Sequence, residues 1–255
     1  MNLRDKATRF AQLHVKGEPL VLYNAWDAGS AKAIVDAGAS AIATSSWSIA
    51  EAQGYRDGEE IPKELAQQIV GRIAATIDVP VSVDFEGGYT DDLDELARNI
   101  GDLLDLGVIG INFEDRVVQG PGLYETEQQA ERIATIRQAG DSMAVPLFIN
   151  ARTDLFLGQG AEPAEVIDAA LERANAYAAV GASGFFIPGL QEASLIARIC
   201  EGTTLPVNVM VMDGVPSNDA LTALGVSRIS YGPIPYIDSI GAIQQQAAFH
   251  LDHNR

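Results

Sequence analysis

The sequence predicts an α/β fold of the (β/α)8 TIM barrel type, and three observations carry that prediction. Short apolar, β-branched runs alternate eight times with longer amphipathic stretches. Four of the amphipathic stretches end on a Gly that leads into the next apolar run. The length, 255 residues, is about what one such barrel takes.

In chain order, the expected strands are residues 20–26, 41–47, 79–86, 110–115, 146–153, 184–189, 206–211 and 228–232. They are mostly apolar and β-branched, as strands of a parallel sheet buried on both faces are. Between them, PKELAQQIVGRIAATI, DDLDELARNIGDLLDLG, TEQQAERIATIRQAG and AEVIDAALERANAYAAVG space their apolar residues at the helical period. The junctions DAGASAIA, DLGVIGIN, AVGASGFF and ALGVSRIS each put Gly where a helix C-cap needs a left-handed backbone. No linker rich in Pro, Gly or Ser interrupts the series, so residues 1–255 are read as a single barrel domain. A doubly wound sheet is the competing architecture, but the first turn, NAWDAGSAKA, lacks its GxGxxG. The last stretch, IDSIGAIQQQAAFHLDH, is a final helix that either closes the barrel or packs on a neighbouring subunit.

Composition narrows the function. With 35 Asp and Glu against 17 Lys and Arg, the net charge is −18, which disfavours nucleic acid and anionic membrane surfaces as partners. A small anionic substrate needs a local cation to overcome the same field. One cysteine, Cys200, excludes a disulfide framework. The N-terminus lacks a signal-peptide core and no run of 18 apolar residues occurs, so a soluble, cytoplasmic protein is expected.

Chemistry in a barrel sits at the C-terminal ends of its strands. There the second strand carries Ser45, Ser46 and Trp47 and leads to Asp57. The third carries Asp84 and Glu86, then Tyr89; the fourth Glu114, Asp115 and Arg116; the fifth Arg152 and Asp154. Asp84 and Glu86, two apart on a strand, would point the same way, with Glu114 at a similar height next door. Crowded carboxylates repel unless a cation or protons neutralise them. Oxygen ligands without nearby His or Cys suit Mg2+, with Mn2+ as a substitute. Arg152 is the natural fork for a substrate carboxylate, or else a structural ion-pair partner of Asp154 or Glu114. The three histidines, His14, His250 and His253, are all near the termini, which counts against imidazole chemistry.

Four segments in order, SSWSIAEAQGYRDGEEIP, VPVSVDFEGGY, GINFEDR and FINARTDLFL, resemble the isocitrate lyase and phosphoenolpyruvate mutase superfamily. The resemblance implies a (β/α)8 barrel, a terminal helix exchanged between subunits, and a dimer or tetramer. It implies Asp84 as direct Mg2+ ligand, with Asp57, Glu86 and Glu114 acting mainly through water. It also implies that Arg152 clamps the carboxylate of a 2-oxo acid, and that Ser45, Ser46 and Trp47 supply backbone donors. Where family lyases carry Lys-Lys-Cys-Gly-His, and the phosphonomutase a Lys and an Asn, this chain reads RVVQGPGLY from Arg116 to Tyr124. Tyr89, Arg116 and Tyr124 are then the candidate proton donors.

The expected function is a Mg2+-dependent lyase that cleaves a C–C bond of a small 2-oxo or 2-hydroxy di- or tricarboxylate through a metal-stabilised enolate. The alternatives are a mutase or hydrolase acting on the P–C bond of a phosphonopyruvate-type acid, and a non-catalytic carboxylate-binding barrel of the same superfamily.

Overall fold

A computed structural model describes residues 2–117, 120–158 and 160–252. Val118 and Gln119 of the loop after the fourth strand, and His253, lie outside the described residues. The eight strands are β1 (Leu20–Leu22), β2 (Ile42–Ala43), β3 (Val81–Asp84), β4 (Gly110–Glu114), β5 (Phe148–Arg152), β6 (Gly184–Phe186), β7 (Val207–Met210) and β8 (Arg228–Ser230). Each falls inside its expected range. All pair in parallel, in the order β1-β8-β7-β6-β5-β4-β3-β2. Beyond the ends of β1 and β2, an isolated parallel bridge joins Ala25 to Thr44 and closes the seam. The fold is therefore a (β/α)8 barrel.

The helices that follow the strands are α2 (Ala28–Asp36), α3 (Ser46–Ala52), α4 (Lys63–Thr76), α5 (Leu93–Asp105), α6 (Thr126–Ser142), α7 (Pro163–Ala179), α8 (Ala193–Gly202), α9 (Asn218–Ala223) and α10 (Ile234–Asp252). The junction glycines behave as expected: Gly38, Gly107, Gly181 and Gly225 have φ of 105°, 93°, 98° and 88°. An additional helix, α1 (Leu3–Gln12), precedes the barrel. Its Phe10 and, just beyond it, His14 pack on the Phe148 ring at 5.2 and 4.1 Å between centroids. A Cβ on Gly110 would sit 3.1 Å from the Phe10 ring, so α1 plugs the N-terminal end of β4 and β5.

Two expectations need correcting at the strand ends. Residues 46 and 47 do not extend β2; they open α3, because the Ser45 side chain accepts from the Ser48 N–H and caps a helix there. Glu86 is not on β3, which ends at Asp84. The backbone turns left-handed at Glu86 (φ 49°) and at Tyr89 (φ 63°), so simple strand alternation does not aim the Glu86 carboxyl.

Inside the barrel, several inward-facing positions are polar. Asn150 Nδ2 donates to the Oδ1 atoms of Asn112 and Asn208, both at 2.9 Å. Asn208 Nδ2 in turn donates to the Arg228 carbonyl and the Ser230 hydroxyl. Asn24 ties the seam, donating to Thr44 O at 2.8 Å and accepting from the Tyr231 and Gly232 amides.

Candidate active site

At the C-terminal ends of the strands lies a cavity of about 180 Å3, lined among others by Ser46, Trp47, Asp57, Asp84, Asn112 and Arg152. A second, of about 350 Å3, shares Asp57, Arg152 and Leu157 with it and adds Arg116, Asp154 and the Gly120–Pro121–Gly122 turn. Residues expected from five separate segments therefore share one opening.

Asp84 ends β3 and is held by three donors. Its Oδ2 accepts from the Ser46 hydroxyl at 2.7 Å and the Ser46 amide at 3.2 Å, and its Oδ1 from Asn112 Nδ2 at 3.2 Å. A carboxylate has about four acceptor positions, which leaves one free on a side chain that lines the cavity. The Ser46 amide is thus spent on Asp84, and the Ser45 amide on Ala25 O. Ser45 and Ser46 fix the site's frame, while Trp47 lies in the first turn of α3 on the cavity wall.

Arg152, the last residue of β5, makes three contacts. Nε and Nη2 bind the two oxygens of Asp154 at 2.6 and 2.9 Å, and Nη1 meets Glu114 Oε2 at 2.9 Å. Both ion-pair partners named as the structural alternative are therefore engaged. Two of the five guanidinium N–H donors remain. The backbone under this group is rigid: the Asp154 amide donates to Asp115, whose other oxygen takes Arg173 and Tyr177. Asp115 is a buried brace, not part of the cavity wall.

Burial holds the remaining carboxyls above their ordinary pKa. Glu86 is buried; its Oε2 accepts from the Glu59 amide at 2.8 Å, and its Oε1 has no partner. Burial, then Asp57 and Glu114, pushes its pKa up to about 9. Burial outweighs Arg152 and pushes Glu114 up to about 8. Asp57, on the rim, is raised by partial withdrawal from water and by Asp84. Among the described residues, no three His, Cys, Asp or Glu side chains stand close enough to hold a metal ion by themselves. This donor set fits a hard cation that keeps most of its water and takes few carboxylates, as Mg2+ does. The unpartnered Oε1 of Glu86 is the kind of buried acceptor that such a hydrated ion satisfies.

The three expected proton donors are spread out. Arg116 is exposed at the outer cavity. Tyr89 borders a smaller recess behind Asp84 and Glu86, and burial keeps its phenol protonated. Tyr124 is not brought to either cavity: its hydroxyl donates to Asp91, and its ring lies 4.5 Å from the Arg132 guanidinium. Two participants were not foreseen. Glu59, also left-handed (φ 59°), bonds the Tyr89 amide with its side chain and Glu86 with its amide, locking the two turns together. Asn112 fixes Asp84; its signal was a polar residue at an inward position one alternation below Glu114.

The phosphoenolpyruvate phosphomutase family matches residues 10–251 of this chain. A Burkholderia cenocepacia protein solved as a candidate phosphonomutase shares 41% identity, covering 98% of this chain and all of that one, with a TM-score of 0.94. An uncharacterized protein of Mycobacterium tuberculosis is 34% identical over 228 residues, 89% of this chain and 83% of its own. The 2-methylisocitrate lyase of Halalkalibacterium halodurans is 27% identical over 241 residues, 91% of this chain and 76% of its own. With the match running nearly end to end on the same barrel, the chain belongs to the phosphoenolpyruvate phosphomutase family, whose members are lyases and mutases.

Proposed function

We propose that this protein is a Mg2+-dependent lyase that cleaves a C–C bond in a small 2-oxo or 2-hydroxy di- or tricarboxylate. The observation that carries the reading is the shared cavity, where Asp84, with one acceptor position left, lies alongside Arg152, with two donors left. Asp84, supported by Asp57, Glu86 and Glu114 through water, would hold Mg2+ (or Mn2+). When bound, the ion would supply Lewis-acid stabilisation of the negative charge that develops on the 2-oxo group.

The chain's own groups do the rest. The two spare N–H donors of Arg152 bind the substrate carboxylate end-on, and Glu114 and Asp154 keep the guanidinium from turning. Leu157, Phe186, Met210 and Pro233 form the apolar part of the wall and keep water from the leaving carbon. The proton needed at that carbon comes from Arg116 at the outer cavity or from solvent, since Tyr89 lies in the recess behind Asp84 and Glu86. Tyr124 holds Asp91 instead.

P–C bond chemistry on a phosphonopyruvate-type acid is the second reading, favoured by the 41% likeness to the candidate phosphonomutase. Formation of pyruvate with Mg2+ from oxaloacetate, 2-methylisocitrate and phosphonopyruvate, and of phosphoenolpyruvate from phosphonopyruvate, above protein-free rates, separates the readings. Turnover of either of the first two supports the lyase, and turnover of phosphonopyruvate alone supports the second. Failure on all three would leave the site a carboxylate-binding one and overturn both.

The same reading extends to assembly. Along α10, Ile237, Ile243, Phe249 and Leu251 are exposed, at 50, 62, 57 and 68%. An exposed apolar face of this kind suits exchange of the helix with a second subunit, giving a homodimer or tetramer. Among the described residues, no helix is long and apolar enough to cross a membrane.

A further inference from the structure

Arg228 sits low in the barrel, fully buried, with Nε and Nη1 lacking partners. Its Nη2 donates to Asn112 Oδ1 at 3.1 Å, and its Cζ is 6.0 Å from the Phe10 ring centroid. A buried cation with two N–H-bearing nitrogens unpaired costs stability, and an apolar chain of similar length would fill the same space at lower cost. Its presence is explained by what Nη2 does.

We propose that Arg228 is a positioning residue for Asp84, acting through Asn112. The two atoms of the Asn112 amide face opposite partners: Oδ1 takes Arg228 and Asn150, and Nδ2 points at Asp84 Oδ1. A guanidinium has donors and no acceptor, so the amide atom it meets must be oxygen. The other atom, facing Asp84, is then forced to be the NH2 group. With the amide reversed, two oxygens would abut at Asp84 and two donors would abut at Arg228. Asn150 adds a second, neutral donor to the same oxygen, and Asn208 fixes Asn150 in turn. The charged donor is the stronger of the two. Through this chain Arg228 fills one Oδ1 position of Asp84 from below, while Ser46 fills both on Oδ2, so the remaining position is the one left to the cavity.

This inference rests on Asp84 being the cation's ligand, and the test separates the two. Mg2+ binding is measured calorimetrically, and melting temperature independently, for the wild type, Arg228→Met, Asn112→Ala and the double variant. Partners that orient a metal ligand are typically worth 10–100-fold in affinity. Arg228→Met is expected to weaken Mg2+ binding about 10-fold, and the double variant to bind no worse than Asn112→Ala alone. If the Met variant does not fold, Arg228→Gln replaces it, since an amide presents either polarity to Asn112 and is expected to weaken binding similarly. Wild-type affinity in a folded Arg228 variant, whatever its melting temperature, or additive losses in the double variant, would overturn the relay. Absence of Mg2+ binding in the wild type would instead overturn the reading of Asp84, and the relay with it.

Discussion

Glu114 and Arg152 are register partners on β4 and β5, and their side chains meet at 2.9 Å between Oε2 and Nη1. The pairing is a consequence of parallel register. It places the guanidinium between two buried carboxyls, Glu114 and Asp154, with two of its N–H donors left over. Removing the charge leaves both carboxyls unpaired in the barrel mouth, and breaking buried pairs of this kind costs about 3–5 kcal/mol. Arg152→Met should therefore lower unfolding stability in urea by that order. Adding Glu114→Gln should restore part of it, and no restoration would mean the pair is not what stabilises the mouth.

The buried glutamates set a pH dependence. Glu86 and Glu114 are raised to about 9 and about 8 in the folded chain, above their ordinary value of 4.5. The folded state then binds more protons than the unfolded state across that interval, so stability falls as pH rises through it. In EDTA, the melting temperature should decline between pH 5 and pH 9, and Glu86→Gln should flatten the decline. A profile identical in the variant would show that Glu86 does not carry it.

On the acid side the sign reverses. His14 stacks on Phe148, donates from Nδ1 to Phe10 O, and is lowered from 6.5 to about 3, chiefly by burial and then by Arg228. The unfolded chain takes up the proton first, so stability is lost as pH falls from 6.5 toward 3, at up to about 1.4 kcal/mol per pH unit. His14→Phe should remove this component from an equilibrium unfolding series. An unchanged acid limb would assign it to other groups.

Gly189 has φ of 90°, and a Cβ there would stand 2.4 Å from Phe156 O. Neither the backbone conformation nor the space admits a side chain. Gly189→Ala should destabilise by about 2 kcal/mol and displace the turn bearing Leu157, which lines both cavities. Weaker oxalate binding would accompany the loss of stability; a variant as stable as the wild type would contradict this.

The barrel was legible because its strands are apolar runs at even spacing and its helices stop at glycines, both of which are local signals. That Asp84, Glu114 and Arg152 meet at the barrel mouth was legible because each ends one of three neighbouring strands, and in a barrel those ends share one rim. The short helix α3 was not, since it begins only where the Ser45 side chain caps it, within residues that read equally as a strand end. Glu86 left its strand because the chain turns left-handed at that residue, just before Gly87 and Gly88. The bond from Tyr124 to Asp91 and the contact of Arg228 with Asn112 join positions 33 and 116 residues apart, and no local pattern encodes them.

If Asp84 presents a cation on which a 2-oxo acid binds, oxalate, which resembles the enolate of pyruvate, should bind the protein together with that cation. The measurement is a thermal-shift titration with oxalate, with and without Mg2+, on the wild type and Asp84→Ala. Oxalate should raise the wild-type melting temperature only when Mg2+ is present, and Asp84→Ala should lose that response. No joint stabilisation in the wild type, or an equal one in Asp84→Ala, would rule out Asp84 as the ligand of a cation that binds 2-oxo acids.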